Sequence, residues 1–184
     1  MKNSILAVIA LCFATMQAFA LVPTHTEKHI FDRTKSMKLT YQFSQQNIVD
    51  ILFLIDDSGS MGTFQSELLK NNAEIINSLK SKFNDSRIGV ITTSSPILTG
   101  KNQKVIEIGK PGAESELFNN MNVGTSGNTE ENIIGNIGLA LSSPLIDKEN
   151  ANFIRDQAHL AVFVFSDADD QSKADPKTVA DQLL

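Results

Sequence analysis

The sequence predicts an α/β fold over residues 48–184: a doubly wound, mostly parallel sheet flanked by helices. Three observations carry this. Short aliphatic runs at 51–55, 88–91 and 160–165 are bounded by turn residues, as strands buried on both faces are. Segments with apolar residues at helical spacing stand between them, the alternation that builds a parallel sheet with crossover helices. The first and last runs each stop on carboxylates, at Asp56-Asp57 and Ser166-Asp167. Open α/β sheets take their ligands just beyond such strand ends.

In chain order, residues 1–20 form a signal peptide. Lys2 supplies the positive start, 5–16 the apolar middle, and Ala18-Phe19-Ala20 the small-x-small cleavage pattern. The apolar middle is too short to cross a bilayer comfortably, so no membrane span is expected in the mature chain. The single cysteine, Cys12, leaves with the leader. An exported chain with neither thiol nor disulfide fits a bacterial envelope. Residues 21–47 form a polar linker in which 38–43 alternates as a short strand would. His25 and His29 stand four apart, but no helical pattern puts them on one face, and they are expected to be solvated.

The strand at 51–55 is followed by a helix over 63–83, with an apolar face through Phe64, Leu68, Ile75 or Ile76, Leu79 and Phe83. Asn84-Asp85 breaks it. After the strand at 88–91 come a hydroxyl-rich loop at 92–95, a turn at 100–102 and an edge-like strand around Val105, Ile106 and Ile108. A short helix over 114–121 leads to a Gly/Thr/Ser/Asn loop at 122–128. Thr129 then opens a helix through Ile133, Ile134, Ile137 and Leu141, stopped by Ser142-Ser143-Pro144. Gly135 and Gly138 weaken that helix by about 1 kcal/mol each relative to alanine, which makes sense if it lies tight against the sheet. Beyond the strand at 160–165, Pro176 starts a last helix at its favoured first position. Four strands are counted where a sheet has about five or six. The domain is therefore expected to be incomplete at its C-terminal end, as a truncated reading frame or a fragment of a longer protein.

At 184 residues, 41% apolar and 20% charged, the chain has the balance of one globular domain with attachments. A net charge of -5 without a long basic cluster argues against nucleic acid and anionic membranes as main partners.

The chemistry concentrates where the strands end. Asp56-x-Ser58-x-Ser60 puts one carboxylate and two hydroxyls around a small oxygen-lined hollow suited to a hard divalent cation. Two more oxygen-bearing loops, 124–129 and 166–170, follow elements that should be its neighbours in a doubly wound sheet. Singly, each piece has an ordinary use. Ser58-Gly59-Ser60 turns the chain and caps a helix, Thr129 serves as an N-cap, and Asp167 ends a strand. Together they point to ligation. One carboxylate from each of two loops, with three neutral hydroxyls, leaves a +2 ion partly unneutralised. Such an ion keeps an exchangeable water, and the natural replacement for that water is a partner's carboxylate.

The stretch 49–61, Val-Asp-Ile-Leu-Phe-Leu-Ile-Asp-Asp-Ser-Gly-Ser-Met, resembles the opening of a von Willebrand factor type A (vWA) domain, whose Asp-x-Ser-x-Ser signature makes a metal-ion-dependent adhesion site (MIDAS). The later stretches 127–130, 140–144 and 160–172 resemble an exported bacterial branch of that family. The resemblance covers about residues 48–172 and implies a Rossmann-like vWA fold. It implies that Ser58 and Ser60 ligate a metal directly, and that Asp56 and Asp167 bind it directly or through water. Thr129 is the favoured loop ligand because a helix is expected to start at once after it; Thr125 stands four residues too early. Asp57, Asp169 and Asp170 depart from the usual pattern, and their extra charge would raise metal affinity, shift preference toward calcium, or face water.

The resulting expectation is a non-enzymatic, exported binding module in the periplasm, at the cell surface or secreted. In it Mg²⁺, with Ca²⁺ or Mn²⁺ as alternatives, is held by Asp56, Ser58, Ser60, Thr129 and Asp167 and completed by an acidic residue of a protein partner. One alternative is Mg-dependent phosphoryl transfer built on the Asp56-Asp57 pair. The phosphatase pattern needs Asp-x-Asp, however, whereas position 58 is serine, and no lysine ends a later strand. Another is an envelope protein whose metal is purely structural. Gly124-Thr-Ser126-Gly lacks nucleophile-elbow spacing, and no catalytic companion for His159 is evident in the sequence, so hydrolase chemistry finds no support.

Overall fold

A computed structural model describes residues 8–12, 17–20, 48–83 and 85–183. The strands β1 (Val8–Cys12), β2 (Gln17–Ala20) and β3 (Ile48–Ile55) come first. A 3-10 turn (Gly59–Met61) leads into helices α1 (Gly62–Lys70) and α2 (Asn72–Lys82). Strands β4 (Asp85–Thr92) and β5 (Ile106–Glu107), helices α3 (Ala113–Met121) and α4 (Ile133–Ala140), strand β6 (His159–Phe165) and helix α5 (Pro176–Leu183) follow. The expected strand at 38–43 and the two histidines His25 and His29 lie outside the described residues.

The sheet runs β2-β1-β6-β3-β4-β5. Its central pairs are parallel, β1 with β6, β6 with β3 and β3 with β4, while β2 and β5 pair antiparallel at the two edges. Six strands stand where the sequence predicts four, because residues 8–12 and 17–20, within the stretch expected to be a leader, add two beside β6. Strand β3 is buried on both faces, as its unbroken aliphatic run requires. Val49, Ile51, Phe53 and Ile55 pack with Ile76 of α2 and Ala113, Leu117 and Met121 of α3. Leu52 and Leu54 pack on the opposite side with Ile133, Ile134, Ile137 and Ala140 of α4. Phe53 also meets the rings of Phe163 and Phe165 edge-on, at 5.7 and 5.3 Å between centroids. This is the doubly wound α/β sheet that the sequence predicts.

Three local expectations are corrected. The helix over 63–83 is two helices. Asn71 breaks it, with its side-chain amide donating to the Glu67 carbonyl and competing with the backbone ladder. The apolar stripe also starts out of phase: Phe64 is exposed and Gln65 is buried. The helix expected from Thr129 begins at Ile133, because the caps for its first N–H groups come from Asp170, a distant residue. The close approach that Gly138 permits is to α5 rather than to the sheet. A Cβ there would stand 3.2 Å from Val179.

Candidate metal centre

Strand β3 ends by handing its pairing to the loop: the Asp56 N–H donates to the Phe165 carbonyl at 2.9 Å. The Asp56 side chain is fully buried, and both its oxygens accept hydrogen bonds. Oδ1 takes the Ser58 N–H at 2.8 Å, and Oδ2 takes the Ser166 hydroxyl at 2.6 Å. That first bond folds the chain back so that two hydroxyls follow side by side, Ser58 Oγ and Ser60 Oγ, 3.2 Å apart. Ser60 in turn donates to Asp167 Oδ1 at 3.1 Å, across 107 positions of sequence. Asp56, Ser58, Ser60 and Asp167 are thus brought together by two strand ends.

The third loop arrives by a different route. The Gly127 N–H donates to the Asp57 carbonyl at 2.7 Å. The Asp57 carboxylate accepts from Ser94 at 2.7 Å and Thr93 at 3.0 Å, and Ser94 Oγ accepts the Asn128 N–H at 2.7 Å. The extra carboxylate at position 57 therefore joins loops. A Cβ at Gly127 would collide with the Asp57 carboxyl and reach 2.6 Å from Ser94 Oγ. Gly127→Ala is expected to push residues 124–129 off the rim and lower stability by about 1–3 kcal/mol, readable in a urea melt. Gln65 adds a second tie, donating from Nε2 to the carbonyls of Asp56 at 2.8 Å and Gly124 at 2.7 Å.

Thr129 and Thr125 are both exposed. Thr129 lines a cavity of about 380 Å³ with Thr93, Ser94, Asn128, Glu130 and Asn132, four residues ahead of its helix. The buried carboxyl of the third loop is that of Glu131, 5% exposed. Burial, the charge of Asp56 and the charge of Asp167 push its carboxyl above the usual range. Sequence reasoning missed both Gln65 and Glu131. Asp169 is exposed, whereas Asp170 accepts the Ile133 and Ile134 N–H groups at 2.9 and 3.1 Å, fixing the start of α4.

The donor set fits a hard divalent cation. Two oxygens in a six-oxygen shell stand about 1.4 metal–oxygen lengths apart, roughly 3.0 Å for magnesium and roughly 3.3 Å for calcium. The 3.2 Å between Ser58 Oγ and Ser60 Oγ falls between them. Among the described residues no three His, Cys, Asp or Glu groups gather into a metal cluster on their own, so a cation here would need hydroxyl donors as well. Nor does any lysine or arginine occur in 56–61, 92–98, 124–132 or 166–172, the loops that meet at this end of the sheet. Buried carboxylates without cationic neighbours call for a counter-ion.

The von Willebrand factor type A domain model matches residues 50–184. No curated protein matches the chain. The match spans most of the chain, from within β3 through α5 with every residue of this rim, and the chain belongs to the von Willebrand factor type A domain family.

Proposed function

We propose that this chain is an exported, non-enzymatic binding module whose rim holds a divalent cation, Mg²⁺ foremost, for capture of an acidic residue on a protein partner. Domains of the family are often metal-dependent protein-interaction modules. The observation that carries the reading is the run of contacts Asp56–Ser166 and Ser58–Ser60–Asp167, which joins carboxylates and hydroxyls from two strand ends at one rim. These residues would hold the cation, and the cation would supply a positive pole with one exchangeable position. Gln65 and Asp57 keep the third loop against them. Phosphoryl transfer is disfavoured because the rim loops carry no lysine or arginine to take a phosphate. Export rests on the leader pattern of residues 1–20. None of the described helices is long and apolar enough to cross a membrane.

The test is a Mg²⁺ titration followed by thermal unfolding, paired with a peptide array presenting Asp and Glu against Asn and Gln. The expected result is a melting temperature that rises with Mg²⁺ and falls back in EDTA, with capture of the acidic peptides only while metal is present. A metal-induced rise without carboxylate-dependent capture would leave a purely structural cation and overturn the adhesive role.

A further inference from the structure

We propose that the cavity beside the rim is a second recognition site, which takes the positively charged side chain, lysine or arginine, of a residue flanking the partner's acidic one. The inference rests on the rim's capture of a carboxylate and specifies what else the partner must carry.

The cavity measures about 380 Å³, near the lower end of the roughly 300–1,000 Å³ typical of small-ligand sites. It borders the metal centre, because Thr93 on its wall also brings its hydroxyl within 3.4 Å of Asp56 Oδ1. A peptide that sets a carboxylate on the rim therefore carries its neighbouring side chains to this opening.

The lining decides the sign of what enters. Thr93 donates to Asp57 Oδ1 at 3.0 Å, and Ser94 donates to the same oxygen at 2.7 Å. A hydroxyl has one proton and two lone pairs, so neither residue has a proton left for a ligand. Ser94 uses one lone pair on the Asn128 N–H, at 2.7 Å, and keeps the other. Asn132 donates an amide N–H to Asn136 Oδ1 at 3.0 Å. Asp57, 9% exposed, stands one hydrogen bond behind both hydroxyls, and Glu130 adds an exposed carboxylate to the wall. No lysine or arginine in 92–98 or 124–132 answers either charge. Acceptors and negative charge without a cation favour a charged donor, an ammonium or a guanidinium. An acidic side chain would be repelled, and an apolar one would strip water from these acceptors without replacing it.

The experiment uses the full chain in Mg²⁺ and peptides built around one aspartate. A single arginine is moved through each flanking position, paired at each with a citrulline twin that keeps the shape and removes the charge. Fluorescence anisotropy is expected to favour arginine over citrulline about fivefold at one or two positions and hardly at all elsewhere. Lysine at those positions should outbind norleucine in the same way. Glu130→Gln is expected to cut the arginine preference to about twofold or less, with melting curves with and without Mg²⁺ to show that the variant folds and takes the metal. A gain spread evenly over all positions would be the general pull of an acidic rim on any cation and would overturn the inference. So would a preference that Glu130→Gln leaves intact. Aspartate peptides captured equally well with arginine or citrulline everywhere would remove the cavity's role and leave the rim's standing. Failure to capture any of them in Mg²⁺ would instead remove the rim reading, and the cavity's role with it.

Discussion

In saturating Mg²⁺, Asp56→Ala is expected to show no metal-induced stabilisation and no EDTA-sensitive capture of acidic peptides. The unaltered chain gains about 2.7 kcal/mol at a metal concentration roughly 100-fold above Kd. The carboxylate is fully buried at the end of β3, with the Ser58 N–H and the Ser166 hydroxyl each within 2.8 Å. Alanine strands both donors, at about 1–3 kcal/mol for each one left unsatisfied. Asp56→Asn separates that loss from the electrostatic one. It keeps a single acceptor oxygen and removes a charge that repels Glu131. In EDTA the asparagine variant should therefore approach or exceed the unaltered chain, and in Mg²⁺ it should fall below it. Melting curves of both variants in both buffers check the pair, and a metal shift surviving in either would exclude Asp56 from the site.

At the opposite end of the sheet, Arg155→Ala is expected to cost about 3–5 kcal/mol. Asp50 is 1% exposed in its side chain, and Arg155 is its partner three times over. The Arg155 backbone N–H donates to Oδ2 at 2.7 Å, Nε donates to Oδ1 at 2.8 Å, and a terminal guanidinium nitrogen lies 2.7 Å from Oδ1. The other terminal nitrogen pairs with Asp85 at 2.7 Å, so one side chain fastens the starts of β3 and β4. Burial pushes the Asp50 carboxyl above the ordinary range even with the guanidinium pulling it down. A folded-state pKa above the unfolded one means that the contribution to stability is present at low pH and is lost as pH rises through the folded value. Without the guanidinium the folded value moves higher still. The deficit of Arg155→Ala should accordingly narrow on acidification as Asp50 takes up a proton. Urea unfolding at several pH values reads this, and a gap that widens on acidification would contradict it.

The strands were legible because aliphatic runs closed by turn residues have few other uses, and β3, β4 and β6 fall where those runs do. That Asp56, Ser58, Ser60 and Asp167 come together was legible for the same reason: a strand end fixes where its next few residues go. What stayed hidden depends on partners far along the chain. The start of α4 is set by Asp170, 37 positions beyond Ile133, which no local pattern around Thr129 announces. Helical spacing near 64–68 allows either phase. The tie from Gln65 to Asp56 and Gly124 buries the polar residue and leaves Phe64 outside. Nothing local singles out Glu131 beside Thr129, because its burial and its carboxylate neighbours Asp56 and Asp167 come from strand ends far along the chain.

The loops meeting at the rim hold Asp56, Asp57, Glu130, Glu131, Asp167, Asp169 and Asp170, more negative charge than the net -5 of the whole chain. Such a surface draws small cations in and turns acidic proteins away at a distance. Under the proposed function, encounter would then be sequential by electrostatics alone: an acidic visitor would be repelled until an ion had settled, and only afterwards would its approach be favoured. Divalent ion supply, rather than abundance of the visitor, would set when the module engages.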